Sequence, residues 1–182
     1  MSWQIDPAHT HVQFSVRHMM VTKVRGEFEK FSGSVDLDEI EPTNTTVSVD
    51  VETASVNTRD GQRDNHLRSA DFFNSEEFPT MSFRSKRVER TGEMTAKLIG
   101  DLTIRGVTKE VALNVEHFGI LKNPWGMQVA GFAATTRINR KDFGLVWNVA
   151  LETGGMLVGE DVDVSIEVEL VKTPEPEAAA AA

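Results

Sequence analysis

Asp161-Val162-Asp163-Val164-Ser165-Ile166-Glu167-Val168-Glu169-Leu170 is the stretch that decides the fold, because aliphatic and polar side chains alternate along it without a break. A strand turns successive side chains to opposite faces, so this two-residue period makes one dry face and one wet face. A helix would spread the same residues around its whole circumference. The segment is a strand of an antiparallel sheet with water on one side only.

Working outward, the same period recurs along the chain. Val12, Phe14 and Val16 alternate with Gln13, Ser15 and Arg17, and Val47, Val49 and Val51 alternate with Ser48, Asp50 and Glu52. Met81 and Phe83 form another row, Met94, Ala96, Leu98, Leu102 and Ile104 share one parity, and Val111, Leu113 and Val115 follow. Turn residues separate the runs at Glu41-Pro42-Thr43-Asn44, Thr91-Gly92, Arg105-Gly106 and Asn123-Pro124-Trp125-Gly126. The apolar parity flips between Phe28 and Phe31, which predicts a bulge near Glu29-Lys30 ahead of Gly33, Val35 and Leu37. With Gly126 to Ile138 as one more strand, the count is about eight. Eight antiparallel strands in sequence order favour a closed up-and-down barrel, which has no exposed edge, over a two-sheet sandwich with the same alternation. Such a barrel either packs solid or holds one small ligand.

Two stretches leave the pattern. Residues Arg59 to Phe73 read as a short helix that turns Leu67 and Phe72 or Phe73 inward, and Arg140 to Asn148, with Phe143 and Trp147 around Gly144, as a further turn or two. Both are expected to close barrel mouths. Residues 1–172 read as one domain. Thr173 to Ala182, Thr-Pro-Glu-Pro-Glu and five alanines, offers nothing large and apolar to anchor it and reads as a disordered tail.

Composition narrows the function. A net charge of −9 over 182 residues argues against nucleic acid and against adsorption to anionic membranes. The absence of cysteine excludes disulfides and thiolate chemistry. No apolar run is long enough for a transmembrane helix. The N-terminus shows neither a basic nor an apolar leader region, which points to the cytoplasm, or to the periplasm if a leader has been removed.

An apolar ligand passes all these filters. The strand from Met127 to Ile138 is small or apolar on both faces, with Ala130, Phe132, Ala134 and Thr136 on one side and Val129, Gly131, Ala133 and Thr135 on the other. Small inward residues leave room for a ligand and small outward ones admit a second copy of the chain; tight packing under the helical segment explains them equally well. The expected lining is Val12, Phe14, Val16, His18, Phe28, Val49, Phe83, Leu98, Leu113, Phe132, Ala134, Phe143 and Trp147. His18 has the inward parity and could meet a polar head group. Arg63, His66 and Arg68 are the other head-group candidates; the competing view pairs these cations with Asp60, Asp64 or Asp71 to fix the insertion. His9-x-His11 could share a strand face, a pair without a third metal ligand. No nucleophile elbow, zinc-protease helix, phosphate loop or dinucleotide fingerprint is present. An enzyme would have to use His66 with Asp64, or a metal at His9 and His11. A solid barrel acting as a stress or interaction protein is the third possibility.

A family resemblance adds to this. Ile5-Asp6-x-x-His9-x-x-Val12-x-Phe14-x-Val16-x-His18, Gly26-x-Phe28, Ser55-Val56-x-Thr58 and Arg63-Asp64-x-His66-Leu67-Arg68-Ser69-Ala70-Asp71-Phe72-Phe73 resemble the YceI-like family, as do Phe78-Pro79, Gly100-x-Leu102-Thr103-Ile104-x-Gly106-Val107-Thr108-Lys109 and Pro124-Trp125-Gly126. The likeness runs from about Trp3 to Val171. It implies an all-β, eight-stranded lipocalin-like barrel with short helical insertions. It further implies binding, storage or transport of a polyisoprenoid or quinone-like lipid, no cofactor, and frequent homodimers. Many members of the family are exported.

Overall fold

A computed structural model describes residues 3–172; the tail expected over residues 173–182 lies outside the described residues. The strands are β1 (Trp3–Ile5), β2 (His11–His18), β3 (Thr22–Phe28), β4 (Phe31–Asp36), β5 (Thr46–Glu52), β6 (Val56–Asn57), β7 (Thr80–Arg90), β8 (Thr95–Ile104), β9 (Val107–Lys122), β10 (Gln128–Asn139) and β11 (Val158–Lys172). One helix, α1 (Gly61–Arg68), and a one-turn segment, Arg140–Phe143, interrupt them. Among the described residues no helix is long and apolar enough to cross a membrane.

These strands make a closed ring of eight. β1 and β2 are two halves of one bent strand, since both pair with β11, Ile5 opposite Leu170 and Val12 opposite Ile166. β3 and β4 are likewise halves of one strand, broken at Glu29-Lys30 where the apolar parity flips. Every neighbouring pair is antiparallel, and the order β4-β5-β7-β8-β9-β10-β11 follows the sequence until β1 closes the ring between β11 and β4. β6 is a two-residue extension beside Phe28. Register shifts at Ser85/Arg87, at Ala130/Phe132 and at Val158/Val162 bend the ladders.

The two ends of the ring differ. At one end lie the turns β4–β5, β7–β8 and β9–β10 with β1, and here Trp3, Ala130 and Leu170 are buried and pack with Ile5, Ile120, Phe132 and Val168 as a floor. The other end carries the β2–β3 and β8–β9 turns and the two long excursions, residues 53–79 and 140–157. Both insertions close this one mouth rather than one mouth each.

Candidate functional site

Above the floor the dry faces do not meet. They enclose a cavity of about 420 Å3, lined almost wholly by hydrocarbon from every strand of the ring. That lies within the roughly 300–1,000 Å3 of ordinary small-molecule sites. Val12, Phe14, Val16, Val24 and Phe28 form one wall, Val49, Val51, Met81 and Phe83 the next, then Leu98, Leu102, Val111 and Leu113, and finally Ala134, Ile138, Val164 and Ile166. Of the expected lining, Phe132 alone stands elsewhere. It faces inward like Ala134 but lies two residues nearer the closed end, opposite Val168, where its ring joins the floor and stacks on His117 at 4.6 Å and 14°. The Nε2 of His117 is buried there without a hydrogen-bond partner. A solid barrel does not describe this interior.

The lid has two pieces, each held by largely buried polar anchors and carrying aromatic rings over the cavity. Asp60 caps α1 by accepting from the backbone N–H groups of Gln62 and Arg63. Buried Asp64 accepts from both the N–H and the hydroxyl of buried Thr58, at 2.9 and 2.5 Å, and the Arg63 guanidinium donates to the hydroxyl and carbonyl of the same residue at 2.8 Å. Past α1, Arg105 donates to the Phe72 carbonyl, and Leu67, Phe72 and Phe73 hang into the cavity. The second piece starts at Arg140, which is 4% exposed and feels the Glu160 carboxylate only at a distance. Its guanidinium donates instead to the carbonyls of Gly159, Leu145, Trp147 and Val158. Burial lowers its pKa from the ordinary value, although a guanidinium stays charged. Gly144 has a φ of +81°, which a side chain would strain, and this turns Phe143, Leu145 and Trp147 towards the cavity. The pieces meet where the His66 ring stands edge-on to Trp147 at 4.5 Å and to Phe72 at 5.1 Å.

The candidate polar residues are thereby sorted. His18, Arg63 and His66 border the cavity beneath the lid. Arg68 does not: it sits on the outer side of α1 and donates to the Ala54 and Val56 carbonyls and to Asn65. His66 and Asp64 do not form an acid–base pair, because His66 bonds Asp71 at 2.8 Å while Asp64 is committed to Thr58. Nor do His9 and His11 share a strand face. β2 begins at His11, and Asp6 holds His9 in the preceding turn by accepting from Ala8 N–H and from His9 Nδ1. Asp6, His9 and Glu169 come together at the surface, where the hydrogen bond to His9 lowers the Asp6 pKa and its counterpart raises that of His9. Sequence reasoning missed the anchoring role of Arg140.

The motifs quoted from the sequence occupy structurally linked places: Arg63 to Phe73 forms the lid, and Gly100 to Lys109 the neighbouring hairpin. A family model for the YceI-like domain matches residues 3–170. The chain belongs to the YceI-like family. A UPF0312 protein of Staphylococcus aureus is 39% identical to it over 169 residues, covering 92% of this chain and 96% of that protein. Among solved structures, a YCEI protein of Campylobacter jejuni superposes with a TM-score of 0.74 at 32% identity, over 87% of this YceI-like chain and 90% of that one. A polyisoprenoid binding domain from Saccharophagus degradans, implicated in plant cell wall breakdown, shares the fold with a TM-score of 0.68 at 15% identity, over 96% and 99% of the two chains.

Proposed function

We propose that this protein binds and carries a long-chain apolar or amphiphilic lipid, a polyisoprenoid or a quinone-like molecule, without catalysing a reaction on it. One observation carries this: a cavity of about 420 Å3 walled by hydrocarbon from every strand of the ring. A methylene occupies about the volume of a liquid water, roughly 30 Å3, so on the order of fourteen carbons fit beneath the lid. At about 0.8 kcal/mol each, their burial supplies on the order of 11 kcal/mol before ordering costs. The apolar tail lies along the barrel axis, and the polar end lies under the lid beside His18, Arg63 and His66. The polyisoprenoid binding named for the Saccharophagus degradans domain agrees with this ligand class. No metal or cofactor is needed.

A homodimer is the proposed assembly. Phe118, Leu121 and Trp125 stand exposed on the outer side of β9 and the β9–β10 turn, beside the small outward residues of β10, and a second copy would cover them. The test of the carrier is mass spectrometry of an organic extract of the purified protein, which should contain an amphiphile in near-stoichiometric amount. Repeatedly clean extracts together with no uptake of added prenyl lipid would overturn it.

A further inference from the structure

The lid end of the barrel carries an apolar rim that folding does not require. The β2–β3 turn presents Met19, Met20 and Val21, the last two 67% and 72% exposed, and Val146, Val149 and Met156 stand exposed beside it. These residues form one surface. Met19 N–H donates to the Leu157 carbonyl, Leu157 N–H donates to the Val149 carbonyl, Ala150 bridges Met156, and the Met20 side chain lies over Gly155. The rim is continuous with the cavity, because His18, Trp147 and Leu157, each next in sequence to a rim residue, line it.

The turn is costly as built. Met19 and Met20 have φ of 51° and 61°, the left-handed pair that Asn-Gly adopts cheaply in a two-residue hairpin. Two methionines bear that strain and are exposed to water as well, so neither backbone geometry nor core packing accounts for them. Charge narrows what covers them. In a chain of net −9, the rim segments 17–23 and 145–158 hold Arg17 and Lys23 against the single acid Glu152, with Lys23 also 3.7 Å from the Asp163 carboxylate of β11. Apolar tips flanked by two cations match a phospholipid interface, with the tips among acyl chains and the cations at the phosphates. The net negative charge of the whole chain favours a zwitterionic over an anionic surface.

We propose that the rim of Met19, Met20, Val21, Val146, Val149 and Met156 docks on a zwitterionic phospholipid bilayer, so that the cavity mouth opens onto the acyl region. Its purpose rests on the lipid-carrier function; its test does not. The full chain is floated with phosphatidylcholine vesicles, alongside Met20→Glu/Val21→Glu and Trp125→Ser, the last removing an exposed ring at the opposite end. The wild type and Trp125→Ser should float, and the double variant should lose at least tenfold of its bound fraction while keeping its circular dichroism spectrum. Its uptake of a water-dispersed prenyl probe, without vesicles, should stay within twofold. Rim-dependent flotation without probe uptake supports docking and removes the carrier. Docking is overturned if the wild type does not float, if the double variant still floats, or if flotation depends on Trp125. It is equally overturned if the wild type ignores vesicles and forms a dimer that the double variant breaks, which makes a second copy the occupant.

Discussion

Replacing Ala134 with tryptophan puts an indole where the cavity wall now carries a methyl group. Ala134 lies mid-strand in β10, between Val115 and Ile166 on the flanking strands, and it faces the space of about 420 Å3. Tryptophan adds about nine non-hydrogen atoms, and if each excludes one ligand carbon the gross loss is on the order of 7 kcal/mol. A flexible chain that reroutes and recovers two thirds of this still loses about 2 kcal/mol, more than tenfold in Kd. Stability should respond differently. Forcing a large side chain into a close-packed core costs typically about 1–3 kcal/mol, whereas an indole entering open space buries its own apolar surface at little cost. Two titrations separate the cases: fluorescence with a prenyl probe, and urea unfolding. Kd should rise at least tenfold while stability stays within about 1 kcal/mol of wild type. A folded variant with wild-type affinity refutes the inward facing of β10. One that loses several kcal/mol shows that the interior was already filled.

Three further perturbations test the scaffold. Asp64→Ala strands the buried N–H and hydroxyl of Thr58 and should cost about 1–3 kcal/mol by urea unfolding; a neutral result would mean that this carboxylate does not anchor the lid. Gly100→Ala sets a Cβ against the Arg84 carbonyl and 2.8 Å from Ser85 Cα, both backbone, so the β7–β8 ladder must shift and the thermal midpoint should fall by several degrees, against no change if the ladder yields freely. Asp6 and His9 stabilise each other as ions. The lowered carboxyl pKa makes its contribution present above about pH 4 and lost as pH falls through the folded value; the raised imidazole pKa makes its own present below about pH 6.5 and lost as pH rises through the folded value. An NMR titration should therefore place His9 above the ordinary imidazole value, and Asp6→Asn should bring it down; a midpoint that ignores the substitution refutes the pairing.

The ring was legible from sequence because period two survives wherever one face is wet, as along Asp161 to Leu170. Parity shows which way a side chain points but not how far along the axis it lies. Phe132 shares the parity of Ala134 and faces inward with it, yet two residues nearer the closed end it packs into the floor beside Val168. Likewise the Arg63 to Asp71 run was visibly a polar cluster, but which cation faces inward depends on where α1 starts, and the Asp60 cap sets that. Pro7 and the turn around Asp6 moved His9 off the strand that His11 begins. Arg140 was hidden for a different reason. Its partners are backbone carbonyls, which every residue supplies and no sequence pattern marks.

That choice of anchor explains how the cavity persists. By the scale measured for core truncations, about 24 cal/mol per Å3, an unfilled space of 420 Å3 carries a penalty on the order of 10 kcal/mol, comparable to the whole stability of a domain. Collapse is the ordinary escape from such a penalty, but a closed ring cannot take it. Neighbouring strands are held about 4.8 Å apart by their ladders, so strand number and stagger fix the radius whatever the side chains do. The lid has no such constraint and could sink into the void. It is held by bonds that give no ground to apolar attraction: two guanidiniums and a carboxylate fixed to backbone groups and to the Thr58 hydroxyl, beside rings that pack on one another and on the upper wall while one side still lines the void. Lipid carbons entering that space supply the missing contacts, so ligand binding should recover much of what the fold concedes by staying open.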